Sequence, residues 1–162
     1  MTKLASLHWF ILASVVCLLS CSSREPPYEG KSVDELVAML HDDAPTTRIQ
    51  GAFALSRLGP KASAAVPDLI QILNNDEPRV RQTAALALGE IGPAAKDAVP
   101  ALARLLSDPH WNVRRQAAIA LGSIGAPAAK VVHELRKLQT DPDPFVQKAA
   151  TEALRRIQET KN

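Results

Sequence analysis

The side chains of this 162-residue chain that could do chemistry are four histidines, two cysteines, scattered serines and a periodic column of arginines. His8, His41, His110 and His133 stand at irregular intervals, and none has the helical or turn spacing that would set two imidazoles on one metal ion. Acyl transfer by a serine needs a base and a tight turn that lifts the hydroxyl. Ser56, Ser63, Ser107 and Ser123 lack a neighbouring histidine and carboxylate, and Leu121-Gly122-Ser123-Ile124-Gly125 is one residue out of register for a Gly-x-Ser-x-Gly elbow. No glycine-rich phosphate loop occurs.

The basic residues are more regular. Arg48, Arg81 and Arg114 recur every 33 residues with Gln147 as the fourth, and Asp42, Asn75, Asp108 and Asp141 recur just ahead of them. Guanidinium forks facing turn carboxylates and amides suit a structural ladder, within and between repeats. The same column also suits an anion-friendly groove, supplemented by Arg79, Arg115 and Lys148. Trp111, next to His110, replaces the proline found at 45, 78 and 144. Its ring is either an interface anchor or packing over a neighbouring helix end. The candidate protein-binding residues are therefore Arg81, Trp111, Arg114, Arg115 and Lys148, with no catalytic residue, no metal ligand and no cofactor. The formal charge of +2 creates no strong demand for nucleic acid, and no small-molecule substrate is expected.

The N terminus belongs to export rather than to the fold. Lys3 supplies a charged start and Leu4 to Leu19 an apolar run of about 16 residues, short of the roughly 20 a transmembrane helix needs and diluted by Ser6, His8 and Ser14. Residues 1–20 are read as a signal peptide, with a retained anchor helix as the alternative. Leu18-Leu19-Ser20-Cys21 resembles the bacterial lipobox, which implies lipidation at Cys21; Cys17 is the poorer candidate because Val16 precedes it. The competing reading is a plain secretory peptide with Cys21 as an incidental thiol. No cysteine follows Cys21, so the mature chain has no internal disulfide. By analogy with bacterial lipoproteins, Ser22 favours the outer membrane if the source is Gram-negative. Residues 21–31, with the polar stretch SSREPPYEG, form a tether of about 30 Å when extended.

From residue 32 to 162 the chain repeats itself without gaps. Leu36, Leu69, Leu102 and Leu135 fall 33 residues apart, as do Val33, Val66, Val99 and Val132, and Leu55, Leu88, Leu121 and Leu154. The units run over about 32–64, 65–97, 98–130 and 131–162. Each holds two helical patterns. In the second, Val66, Leu69, Ile70 and Leu73 give helix A one apolar stripe, and Val80, Ala84, Ala87, Leu88 and Ile91 do the same for helix B. Pro67 fits the first turn of A, Pro78 opens B, and Gly92-Pro93 ends it, with glycine expected in a left-handed cap. Neither stripe can be buried alone, so the pairs must stack.

Asp76, Val80-Arg81 and Ala84 to Gly92, repeated as Asp108, Val113-Arg114 and Ala117 to Gly125, resemble the HEAT-repeat family, in particular its phycobilisome-lyase-like subclass. The resemblance implies an all-α fold, a right-handed α-solenoid of four helix pairs with helix B lining the concave side. The ends depart from the pattern. Ser32 and Glu35 form a capping box, and the columns Val37/Ile70/Ala103, Leu40/Leu73/Leu106 and Phe53/Leu86/Ile119 turn into Arg136, Gln139 and Glu152, the expected polar face of a capped array. The expected function is a membrane-tethered scaffold that binds an unidentified protein partner through its B-helix surface. The alternative is a HEAT-class enzyme, bilin lyase-like or deoxyhypusine hydroxylase-like. The latter relative builds a di-iron site from several His-Glu pairs, of which this chain offers only His133-Glu134.

Overall fold

The computed structural model describes residues 30–160, so the signal segment, Cys21 and most of the tether lie outside the described residues. Within them the chain forms eight α-helices and no strand. These are α1 (Val33–Leu40), α2 (Pro45–Leu58), α3 (Val66–Ile72), α4 (Pro78–Ile91), α5 (Val99–Leu105), α6 (Trp111–Ile124), α7 (Val132–Lys137) and α8 (Pro144–Glu159). Odd-numbered helices are the short A helices and even-numbered ones the longer B helices, so every repeat contributes one pair to an α-solenoid.

The boundaries follow from local chemistry. Ser32 caps α1 in the expected reciprocal box: its Oγ accepts from the Glu35 N–H at 3.3 Å, and its own N–H donates to Glu35 Oε2 at 2.8 Å. The Ser32 N–H foremost, and the Ser32 hydroxyl donating to the same Oε2 at 2.9 Å, hold the Glu35 carboxyl below the usual glutamate range. Proline opens α2, α4 and α8, where its missing N–H leaves nothing unsatisfied, and Trp111 takes that place in α6. At the far ends, Gly59, Gly92 and Gly125 have φ of 54, 71 and 75°. Their ψ values, −131, −138 and −134°, are not those of a left-handed cap. The glycine instead turns the chain sharply outward into a following 3-10 turn, a conformation closed to side chains with a Cβ. The expected cap is thus replaced by a corner, because a 3-10 turn of six or seven residues must start at once to carry the chain to the next A helix.

The core is one continuous strip. Leu55, Leu88 and Leu121, together with Leu36, Leu69, Leu102 and Leu135, are inaccessible or nearly so. Alanines fill the space between B helices: Ala87, Ala120 and Ala153 are buried along the array. Adjacent B helices lie against one another along their length, whereas A helices mainly touch their own B helix and the connecting turns. At the last repeat Arg136 and Gln139 are exposed and Leu154 is only half-buried. Of the three apolar columns, Leu40/Leu73/Leu106 is buried, whereas Val37, Ile70, Ala103, Leu86 and Ile119 are half-buried and Phe53 is 39% exposed.

The B helices approach closely because small residues sit where they meet. A Cβ placed on Gly122 would lie 2.8 Å from Ala153 Cα, and one on Gly89 would lie 3.0 Å from Ala120 Cα. Gly122→Val should therefore force α6 and α8 apart and lower unfolding free energy by about 2 kcal/mol. Urea denaturation followed by circular dichroism measures this; an unchanged midpoint would show that the contact does not limit the packing.

Candidate functional site

The periodic arginines are built into the turns between A and B helices. Arg81 Nη1 donates to the carbonyls of Asn75 and Asp76 at 2.7 and 2.9 Å, clamping the turn before its own helix. Its remaining donors cross to the next repeat, where Nε and Nη2 reach Asp108 Oδ2 and Oδ1 at 2.8 and 3.0 Å. Arg114 repeats both halves, holding the carbonyls of Asp108 and Pro109 and forking onto Asp141 at 2.8 and 2.9 Å. Gln147, fourth in the column, keeps the local clamp on the Asp141 carbonyl at 2.7 Å. Each carboxylate also fixes its own turn, since Asp108 and Asp141 Oδ1 accept the N–H two residues on, from His110 and Asp143. The Arg114 fork holds the Asp141 carboxyl below its usual range against the opposing effect of burial.

The first rung is incomplete. Arg48 clamps the carbonyls of Asp42 and Asp43, but its buried Nε has no partner. The residue opposite is Asn75, whose Oδ1 is used by the Glu77 N–H at 3.0 Å. Its other terminus is an NH₂ group, which cannot accept as the second carboxylate oxygen of Asp108 and Asp141 does. The junction between the first two repeats carries instead a His41–Asp68 contact of 2.8 Å nearer the surface.

The other basic candidates go to a different place. Arg115 and Lys148 stand on the open side of the B helices, where α6 and α8 enclose a groove of about 340 Å³. Its walls are Ile119, Gly122, Phe145, Ala149 and Ala153, with Glu152 and Arg156 at the far end. Glu152 is held by Arg155 at 2.6 Å and by Arg156 at 2.9 Å, while Arg155 also pairs with Glu159. Those two guanidinium groups lower the Glu152 carboxyl to about 2, so it is an anion already neutralised within its own helix. Arg115 and Lys148 have no hydrogen-bond or ion-pair partner among the described residues. Phe145 (61% exposed), in the groove wall, packs against Trp111 (44% exposed) just outside it, ring centroids 6.1 Å apart and tilted by 32°.

The five candidates therefore divide. Arg81 and Arg114 belong to the ladder, with their donors directed to turns and carboxylates. Trp111, Arg115 and Lys148 gather at one groove, and the tryptophan is both exposed and packed over the start of the neighbouring helix. Sequence reasoning missed Phe145, Ile119, Glu152 and Arg156 as members of this surface. Phe145 carried a signal: it occupies the helix-B column of Thr46, Arg79 and Asn112, an aromatic where the other repeats are polar. His133 is exposed, and no three His, Cys, Asp or Glu side chains converge among the described residues.

Comparison with known proteins places this geometry. The family described as HEAT repeats matches residues 33–104 and again 66–155. Among solved structures, the complex of CpcE and CpcF of phycocyanin lyase from Nostoc sp. PCC7120 is 30% identical, with a TM-score of 0.69, and the match covers 78% of this chain and 53% of that one. An engineered protein is also 30% identical at a TM-score of 0.68, covering 79% of this chain and 63% of its own. Human deoxyhypusine hydroxylase, in complex with glycerol, is 30% identical at a TM-score of 0.65, covering 83% of this chain and 46% of its own. The chain thus spans about half to three fifths of the length of these proteins. No curated protein matches it.

The ladder can be tested at its incomplete rung and at a complete one. Asn75→Asp gives Arg48 Nε its missing acceptor and should raise unfolding free energy by about 1–2 kcal/mol in urea titrations near neutral pH. Asp141→Asn should cost about 2–3 kcal/mol there. Because the folded-state pKa of Asp141 lies below its ordinary 3.8, that stabilisation is fully present above this value and is lost as pH falls through the depressed one. The stability gap between parent and Asp141→Asn should close as pH is lowered well below 3.8, and a gap independent of pH would refute the assignment.

Proposed function

The chain belongs to the HEAT-repeat family, and on that premise we propose that it is a membrane-tethered scaffold that binds another protein through the exposed face of its B helices. The observation that carries the reading is the groove between α6 and α8, where an apolar floor, two unpaired cations and an exposed aromatic pair adjoin. Exposed Trp beside Arg on a rigid support is the composition of an interface centre. The array itself supplies rigidity: a partner docking there meets a surface already ordered by stacking and the Arg–Asp ladder, so little conformational entropy is lost from this side on binding.

The tether rests on the N-terminal pattern. The charged and apolar start followed by Leu18-Leu19-Ser20-Cys21 supports export and lipidation, holding the domain within about 30 Å of a bacterial membrane, the outer one in a Gram-negative source. A single lipid-modified cysteine also accounts for a chain in which no other thiol follows. The reading is of a binding protein, not an enzyme. The similarity to a lyase complex and to a hydroxylase favours the second reading, a HEAT-class enzyme or enzyme subunit. A purified sample that is colourless and free of metal by elemental analysis would count against that one.

Two measurements test the first reading. Cys21→Ser should move the protein from the detergent phase to the aqueous phase of a cell fractionation, and intact-mass analysis of the parent should show the added acyl chains; an unmodified mass in the membrane fraction would overturn the tether. Replacing Trp111, Arg115 and Lys148 together by alanine should abolish crosslinks to a partner in native membranes. The melting curve should stay in place, since exposed substitutions of this kind shift stability by about 0.5 kcal/mol or less. Crosslinks that survive in the folded variant would remove this surface from consideration.

A further inference from the structure

In a repeat array the positions that build the fold recur, and those that break the repeat are free to carry something else. Four breaks coincide at one junction. Trp111 stands in a proline column, and Phe145 in the column of Thr46, Arg79 and Asn112. Arg115 and Lys148 are the cationic members of a column that begins Ile49 and Gln82. The preceding junction shows what these positions do when they serve structure: Asn112 Nδ2 donates to Gln82 Oε1 at 2.9 Å, joining α4 to α6. One repeat later the same two positions hold Arg115 and Phe145, and a phenyl ring accepts no such bond. The third junction, like the first with Ile49 and Arg79, lacks this bond, and it leaves a cation without a partner beside the exposed Phe145 ring.

Beyond Phe145 the groove is apolar. Ile119, Ala149, Gly122 and Ala153 floor it, and Glu152 is already engaged by Arg155 and Arg156. From Phe145 to Arg156 the groove follows about three helical turns, or roughly 16 Å. Its unbalanced charge is positive and concentrated at Arg115 and Lys148.

We propose that this groove receives an acidic amphipathic helix of the partner protein. Its aliphatic stripe lies between α6 and α8, and its carboxylates meet Arg115 and Lys148 beside the Trp111–Phe145 pair. The inference rests on the scaffold reading and adds the partner's chemistry. A third helix in the furrow between two others continues the packing that builds the array itself, and an apolar stripe at i, i+3, i+4 and i+7 matches a groove of this length. The free cations supply selection, because a basic helix would place like charges together and an uncharged one would leave both guanidinium and ammonium unpaired.

The test uses the soluble domain with its tether, Cys21 replaced by serine, and three labelled synthetic peptides of one length, about 14 residues. One has a Leu stripe flanked by Glu, the second the same stripe flanked by Lys, and the third the Glu peptide with Ser for Leu. Fluorescence anisotropy should show the Glu/Leu peptide binding at least about tenfold more tightly than either of the others. Arg115→Glu with Lys148→Glu should reverse the preference between the Glu and Lys peptides, with an unchanged melting curve. Equal binding of the Glu/Leu and Lys/Leu peptides, or indifference to the charge reversal, would overturn the proposal. So would binding to phosphatidylglycerol vesicles with none to the Glu/Leu peptide, which would make the surface a membrane contact. Loss of the native crosslink in the alanine variant together with no charge preference among peptides overturns this inference alone, whereas an unchanged crosslink overturns the reading beneath it.

Discussion

Everything in this molecule depends on how closely its B helices can approach. With a glycine at 89 and 122 facing alanines at 120 and 153, backbone meets backbone where ordinary side chains would hold the helices apart. Successive A helices touch far less, so the B row is what joins repeat to repeat. That packing fixes which side of each B helix is left uncovered, where an exposed Phe145 and an unpaired Arg115 stand.

Close packing by small apolar residues is weakly directional, however, and would tolerate slippage of one pair over the next. The Arg–Asp ladder removes that freedom. Arg81 and Arg114 each hold their own turn through carbonyls and the following turn through a forked carboxylate, so the register between repeats is set by bonds with strict geometry. Because Asp108 and Asp141 also fix their turns through the N–H two residues on, one carboxylate joins local and long-range order. Asn75 separates the two functions. It preserves the turn, since its amide oxygen accepts the same N–H, but it cannot accept from Arg48, and the first junction is the one left with an unpartnered buried donor.

Helix positions, the stacking order and the ladder were legible because periodic constraints leave periodic letters. A 33-residue recurrence of Leu, Val and Ala declares what is buried without knowledge of any contact. For Arg81 and Arg114 the ladder stood beside a groove reading, since a guanidinium that faces a carboxylate and one that faces solvent are the same letter at the same spacing. The glycine corners were placed correctly but given the wrong ψ, because sequence reports that a positive φ is allowed and not where the chain goes next.

The groove was the hardest to read, since its residues contribute nothing to the repeat. That same property identifies it once the fold is known. Stacking explains why Ala120 and Ala153 are alanine, and the turns explain Asp108 and Asp141; neither explains Trp111, Phe145, Arg115 or Lys148. Exposing two aromatic rings forgoes burial that the proline and polar residues of the other repeats never had to seek, and the cations beside them have no partner within the array. Departures that each weaken the array, gathered on one side of one junction, are accounted for together if what covers them is another molecule.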